Sequence, residues 1–74
     1  MTQQIQQSLN ILRRKQVEAR TGLSRSTIYA RIAEGKFPQP IDLGGRAVGW
    51  IEAEIDTWLT SRITASRTPM NGGK

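Results

Sequence analysis

The side chains of this 74-residue chain that could do chemistry are cations and hydroxyls, because it has no cysteine and no histidine. That composition removes the thiolate nucleophile, the imidazole base and the usual zinc ligand sets. The carboxylates do not replace them. Glu52, Glu54 and Asp56 crowd the start of one apolar-periodic segment with no pocket implied around them, so neither an enzyme nor a metal or cofactor site is expected. What remains is concentrated in TGLSRSTIYARI, residues 21–32, where Arg25 and Arg31 stand beside Ser24, Ser26, Thr27 and Tyr29. Guanidinium groups donate paired hydrogen bonds to phosphates and to guanine edges, and short hydroxyl side chains reach base edges while letting a backbone come close.

An element must hold these groups in place, and the local signals give a helix from Arg25 to about Glu34, with Ser24 as N-cap and Gly35 as its end. At about 100° per residue, Ile28 and Ile32 form an inward stripe with Tyr29 at its edge. Ser26, Thr27, Ala30, Arg31 and Glu34 fall on the opposite face, and Arg25 in the first turn is free to swing outward. A merely solvated face would be richer in Glu and Lys spaced for i,i+4 pairing. The small polar face flanked by arginines is therefore an asymmetry that suits a polyanion.

A shorter helix, Lys15 to Thr21, precedes it and closes at Gly22. Arg13, Arg14 and Lys15 put positive charge at its start, where the helix dipole is already positive, and no Ser, Thr or Asp caps it. Either a bound phosphate relieves that conflict or solvent screening tolerates it. After the second helix come Lys36 and then Pro38 and Pro40, which forbid helix and force an extended lead-in. Ile41 and Leu43 then alternate around Asp42, and Val48 and Trp50 around Gly49. Gly44-Gly45 between them reads as a two-residue hairpin turn, pairing Ile41 with Val48 and Leu43 with Arg46. Such a hairpin either only covers the core or acts as a wing, with Gly45 allowing close approach to a phosphate and Arg46 supplying charge. A third helix, Glu52 to about Ile63, carries the stripe Ile51, Ile55, Trp58, Leu59 and Ile63, with acids at its start and Arg62 near its end. Trp50 and Trp58 sit within apolar periodicities and read as core aromatics.

The charge pattern agrees. The net charge is +5, and residues 13–46 hold eight basic and three acidic side chains, with the remaining acids clustered at 52–56. A basic block with a separate acidic patch suggests a polyanion-binding face and a back face. One domain is expected over residues 11–63, between a flexible glutamine-rich segment at 1–10 and a disordered tail at 64–74. MTQQIQQSLN has neither the basic start nor the apolar stretch of a signal peptide, and no run is long enough to span a bilayer. A soluble cytoplasmic protein is the expectation.

Helix, glycine-containing turn, helix with a small polar face, hairpin, closing helix: this is an α+β winged helix-turn-helix of three helices and a two-stranded β-hairpin, with Val17 and Ala19 in the first helix and Gly22-Leu23 at the turn. The segments TGLSRSTIYARIAEGKFP, LGGRAVGW and EIDTWL moreover resemble the AlpA family of prophage regulatory proteins, over roughly residues 11–62. The resemblance implies a small winged-helix DNA-binding protein akin to phage excisionases and to the DNA-binding part of MerR-type regulators. It also implies a transcriptional activator of prophage or genomic-island integrase and excision genes in a bacterial host. It places Arg25, Ser26, Thr27, Tyr29 and Arg31 on the recognition helix and Gly45-Arg46 at the wing tip. The chain departs from it in lacking a good cap on the first helix, where Arg13 and Arg14 stand.

The expected partner is double-stranded DNA, contacted by these residues together with Arg13, Arg14, Lys15, Ser24 and Lys36. An activator would also meet RNA polymerase. The alternative is an excisionase-like architectural factor that binds attachment-site DNA and recruits an integrase, and a protein adaptor with a basic face is a third reading. No dedicated dimerisation helix is evident, so a monomer or a weak, DNA-assisted oligomer is expected.

Overall fold

A computed structural model describes residues 9–67. The expectations of flexibility for the ends of the chain fall largely on residues 1–8 and 68–74, outside the described residues. In chain order the elements are β1 (Ile11–Leu12), α1 (Arg14–Thr21), α2 (Arg25–Ala33), β2 (Ile41–Gly44), β3 (Ala47–Ile51) and α3 (Glu52–Arg67). The strands form one antiparallel sheet in the order β1-β3-β2.

The α+β winged arrangement expected from the sequence is present, with four differences. First, the hairpin gains a third strand. Ile11 pairs with Ile51 and Leu12 with Trp50, because β3 has a second edge whose backbone groups need partners. Asn10 seals this strand to the last helix: its carbonyl accepts the Glu52 N–H at 2.8 Å, and its Nδ2 donates to Glu52 Oε1 at 3.0 Å.

Second, the hairpin register is shifted from the expected one. Ile41 pairs with Gly49, Asp42 with Val48 and Gly44 with Ala47, so Leu43 is an extra residue in a bulge and the loop is Gly45-Arg46. Asp42 causes the shift. Its Oδ1 accepts the Gly44 N–H at 2.8 Å, a local side-chain turn that competes with the regular ladder. Gly44 and Gly45, at φ 100° and 59°, then supply the positive-φ backbone that a tight turn needs.

Third, α1 starts one residue early, at Arg14, and is capped after all. The Arg13 N–H donates to the Gln16 side chain at 2.8 Å, the reciprocal half of a capping box. Fourth, α3 continues beyond Ile63 to Arg67. Thr64–Arg67 contains no glycine or proline to break the helix. Ile63, expected in the core, is 50% exposed, because the last turns of α3 run past the body.

The core draws on nearly every element: Leu12, Val17, Ile28, Phe37, Trp50 and Ile55 are buried, with Leu23, Ile32, Val48, Trp58 and Leu59 packed around them. No polar or charged side chain is buried among the described residues. The two indoles also fix the irregular link between α2 and β2. Trp58 Nε1 donates to the Lys36 carbonyl at 2.9 Å and Trp50 Nε1 to the Pro38 carbonyl at 3.0 Å. Those carbonyls have no ladder to join beside the prolines, so the indoles satisfy them.

Candidate nucleic-acid interface

The turn between α1 and α2 sets the angle at which α2 is presented. Gly22, at φ 77°, ends α1 in a left-handed cap and its N–H donates to the Glu18 carbonyl at 2.7 Å, a conformation that costs glycine no Cβ clash. Thr21 reinforces it, its hydroxyl donating to the Val17 carbonyl and accepting from the Leu23 N–H. Leu23 then packs on the core and Ser24 caps α2, accepting the Thr27 N–H at 3.2 Å. Ser24 Oγ also donates to Thr27 Oγ1 at 3.0 Å. The hydroxyls of Ser24 and Thr27 are therefore engaged in holding the start of the helix.

The open arc of α2 is rotated from the one inferred by periodicity. Ile28 is the fully buried pivot, Ile32 is half-buried on one flank, and Thr27 and Arg31 are half-buried on the other. That leaves Ser26, Tyr29, Ala30 and Ala33 outward, with Arg25 above them. Tyr29, expected at the edge of the core stripe, is 39% exposed. Its ring packs edge-on with that of Trp50, centroids 6.4 Å apart, and the Arg25 guanidinium stands over it at 5.7 Å, so Arg25 is held over an aromatic face rather than swinging freely. Arg31 lies along the flank. The residue is half-buried, and its Nε is buried without a hydrogen-bond partner among the described residues.

The cations of α1 divide by task. Arg13 Nε donates to the Val48 carbonyl at 2.9 Å, tying the start of α1 to β3. Arg14 pairs with Glu18 one turn on. Lys15 is exposed and has no ion pair among the described residues. Neither α1 nor α2 has an acidic residue in its first turn, whereas α3 has Glu52 and Glu54 there. Two of the three helix N-termini thus face outward with dipole and side-chain charge of the same sign, which suits an anion and little else.

Gly45-Arg46 stands at the tip of the hairpin, at the opposite end from the Ile41–Gly49 pair. Lys36 is elsewhere, on the rim of an open groove of about 930 Å³ beside Phe37, Pro38 and Trp58.

Three positioning residues lie outside the site expected from the sequence: Gln16, Gly49 and Arg20. Gln16 was visible as the third residue after Arg13, the spacing of a capping box. Gly49 gave a weaker signal, a glycine inside a strand. Arg20 gave none. It donates to Asp56 at 2.8 Å and lies 3.5 Å from Glu52, joining α1 to α3 across 36 residues of sequence. The hydrogen bond to Asp56 and then the charge of Asp56 raise the Arg20 pKa above its ordinary value; desolvation opposes them, and the charge of Glu52 adds a lesser push upward. Two of the three acids of the patch expected on a back face are therefore engaged by this arginine.

Comparison with known proteins gives the same direction. The family model of the prophage CP4-57 regulatory protein (AlpA) matches residues 10–63. An uncharacterized protein, ORF88, of Enterobacteria phage P4 is 46% identical over 46 residues, which cover 62% of this chain and 52% of that protein. The DNA-binding transcriptional activator AlpA of Escherichia coli K12 is 43% identical over 61 residues, covering 74% of this chain and 87% of the activator. The chain thus spans about half the length of the phage relative and most of the bacterial one.

Proposed function

The chain belongs to the AlpA family of prophage regulatory proteins, and from that premise we propose that it is a sequence-specific DNA-binding transcriptional regulator. The observation that carries the reading is the open arc of α2: small outward side chains bordered by Arg25 and Arg31, on a helix whose first turn holds no acid. In a helix-turn-helix the second helix enters the major groove with its N-terminal residues at the base edges. Arg25, Ser26 and the terminal nitrogens of Arg31 are then the base-reading groups, Tyr29 offers its hydroxyl to a phosphate, and the Ser24–Thr27 cap presents the helix end to the backbone. Arg14 and Lys15 at the start of α1 and Gly45-Arg46 at the wing tip contact phosphates on either side. Arg13 acts mainly by holding α1 against the wing.

Integrase and excision genes are the proposed targets, with activation through RNA polymerase. Titrating the purified protein against duplex DNA at several salt concentrations tests the core of the reading. Neutralising about five phosphates gives a log–log slope near −4.5; a flat slope refutes it. A footprint then separates roles: protection at an integrase or excisionase promoter supports regulation, and tandem protection inside an attachment site supports an architectural factor.

A further inference from the structure

The outer face of the sheet is apolar, like the inner one. Leu12 and Trp50 point into the core, so their neighbours Ile11 and Ile51 point away from it, as does Ile41 through its pairing with Gly49. A Cβ on Gly49 would lie 2.5 Å from Ile11 Cγ2 and 3.2 Å from Leu43 Cδ1, which puts Leu43 on that outer side too. An antiparallel sheet with one face on the core ordinarily alternates to polar residues on the other. Here the outward positions are aliphatic, and Leu43 is 43% exposed. The face continues into the groove beneath it, where Ile41 and Ile51 join Trp58 between the rim charges Lys36 and Glu54. Neither of those charges has an ion-pair partner among the described residues.

We propose that this face is a self-association surface, on which two copies pack sheet to sheet about a two-fold axis with Lys36 of each meeting Glu54 of the other. The charge pattern selects a second copy as the occupant. The chain carries +5, so two copies repel through most approaches, yet the centre of this patch is uncharged. The groove end of the patch holds one cation and one anion, Lys36 and Glu54, and a two-fold axis sets residue i against j and j against i, so a single contact type pairs these charges in both copies. The aliphatic side chains other than Leu43 are already half-covered, which keeps the area below the roughly 800 Å² per partner of a stable complex. Association is therefore weak in free solution and becomes populated when two copies share one duplex, where their effective concentration is high. Only that last role rests on the DNA-binding reading.

Sedimentation equilibrium of the full chain without DNA, from about 10 μM to about 1 mM, tests the surface independently of DNA binding. The weight-average mass should climb above 8.3 kDa towards twice that value. Leu43→Glu, at an exposed position, should hold the monomer mass throughout while its circular dichroism matches the parent. Lys36→Glu and Glu54→Lys should each weaken association by about tenfold, and the double exchange should return to within about threefold of the parent. A parent chain that stays at the monomer mass, or a Leu43→Glu variant that associates like the parent, overturns the proposal. So does a double exchange no better than its singles. A monomeric parent whose Leu43 methyl resonances shift when residues 1–8 are removed would overturn it in favour of the chain covering its own sheet.

Discussion

Replacing Gly49 by alanine adds one methyl group where the three strands meet, and the surrounding atoms set its cost. Gly49 is buried, and the new Cβ would stand 2.5 Å from Ile11 Cγ2, 3.1 Å from the Leu12 carbonyl oxygen and 3.2 Å from Leu43 Cδ1. Leu43 can yield, being the end of an exposed side chain. Ile11 cannot swing Cγ2 aside easily, because a β-branched residue is stiff at χ1, and a carbonyl moves only with its strand. Overpacking of this kind costs about 1–3 kcal/mol. Gly49 has no positive φ, so alanine loses nothing to backbone strain and recovers about 0.4–1 kcal/mol by restricting the unfolded chain. The net loss is about 1–2 kcal/mol, which for a domain of this size lowers Tm by about 4–15 °C.

Urea unfolding followed by tryptophan fluorescence measures that loss, and Ile11→Ala supplies the control by deleting the methyl that clashes. If the clash is the cause, the double variant should be more stable than the sum of its singles by about 1 kcal/mol. A Gly49→Ala chain as stable as the parent, or strictly additive singles, would refute the reasoning, and with it the placement of β1 on β3.

Arg31→Ala should lower the preference for the cognate site by about 1–3 kcal/mol, whereas Arg14→Ala should weaken all duplexes alike and flatten the salt slope by about one unit; competition titrations with specific and random DNA separate the two. Arg13→Ala should lower stability by about 1 kcal/mol through loss of its bond to the Val48 carbonyl, and Arg13→Lys should not restore it, since the bond is made by Nε; chemical denaturation of both variants checks this. Asp56→Asn should lower Tm at low salt and have a smaller effect near 1 M salt, where screening weakens the Arg20 clamp anyway. The raised pKa means that the Arg20 contribution is fully present below the ordinary arginine range and is lost only as pH rises through the higher folded value, so melting curves between pH 5 and 9 should show no pH dependence from this guanidinium.

How much of the fold was legible in the sequence depended on the range of the interactions. Ser24, Gly22 and the Ile28 pivot act within a turn of themselves, and the helix-turn-helix was legible from them. The strand Ile11–Leu12 was not, because two residues have no periodicity and its existence depends on an edge some 40 residues away. The hairpin register failed for a local reason. Two glycines outweighed the aspartate before them, although the Asp42 side chain decides where the turn falls. The orientation of α2 was inferred from Ile28 and Ile32 alone. Its actual arc depends on Trp50, which draws Tyr29 against its edge, and on the packing around Arg31, neither of which a single-helix projection contains.

The two indoles give the protein a pair of built-in optical probes with separate fields of view. Trp50 is buried, touches Tyr29 edge-on and is anchored at Pro38, so its emission should respond when the open arc of α2 is occupied. Trp58 lines the groove on the sheet side, against Phe37 at 4.7 Å, and should respond when that groove is covered. Replacing one indole by phenylalanine at a time would turn a single titration into two, one watching the helix that meets DNA and the other the surface proposed to meet a second copy, with no label attached to either.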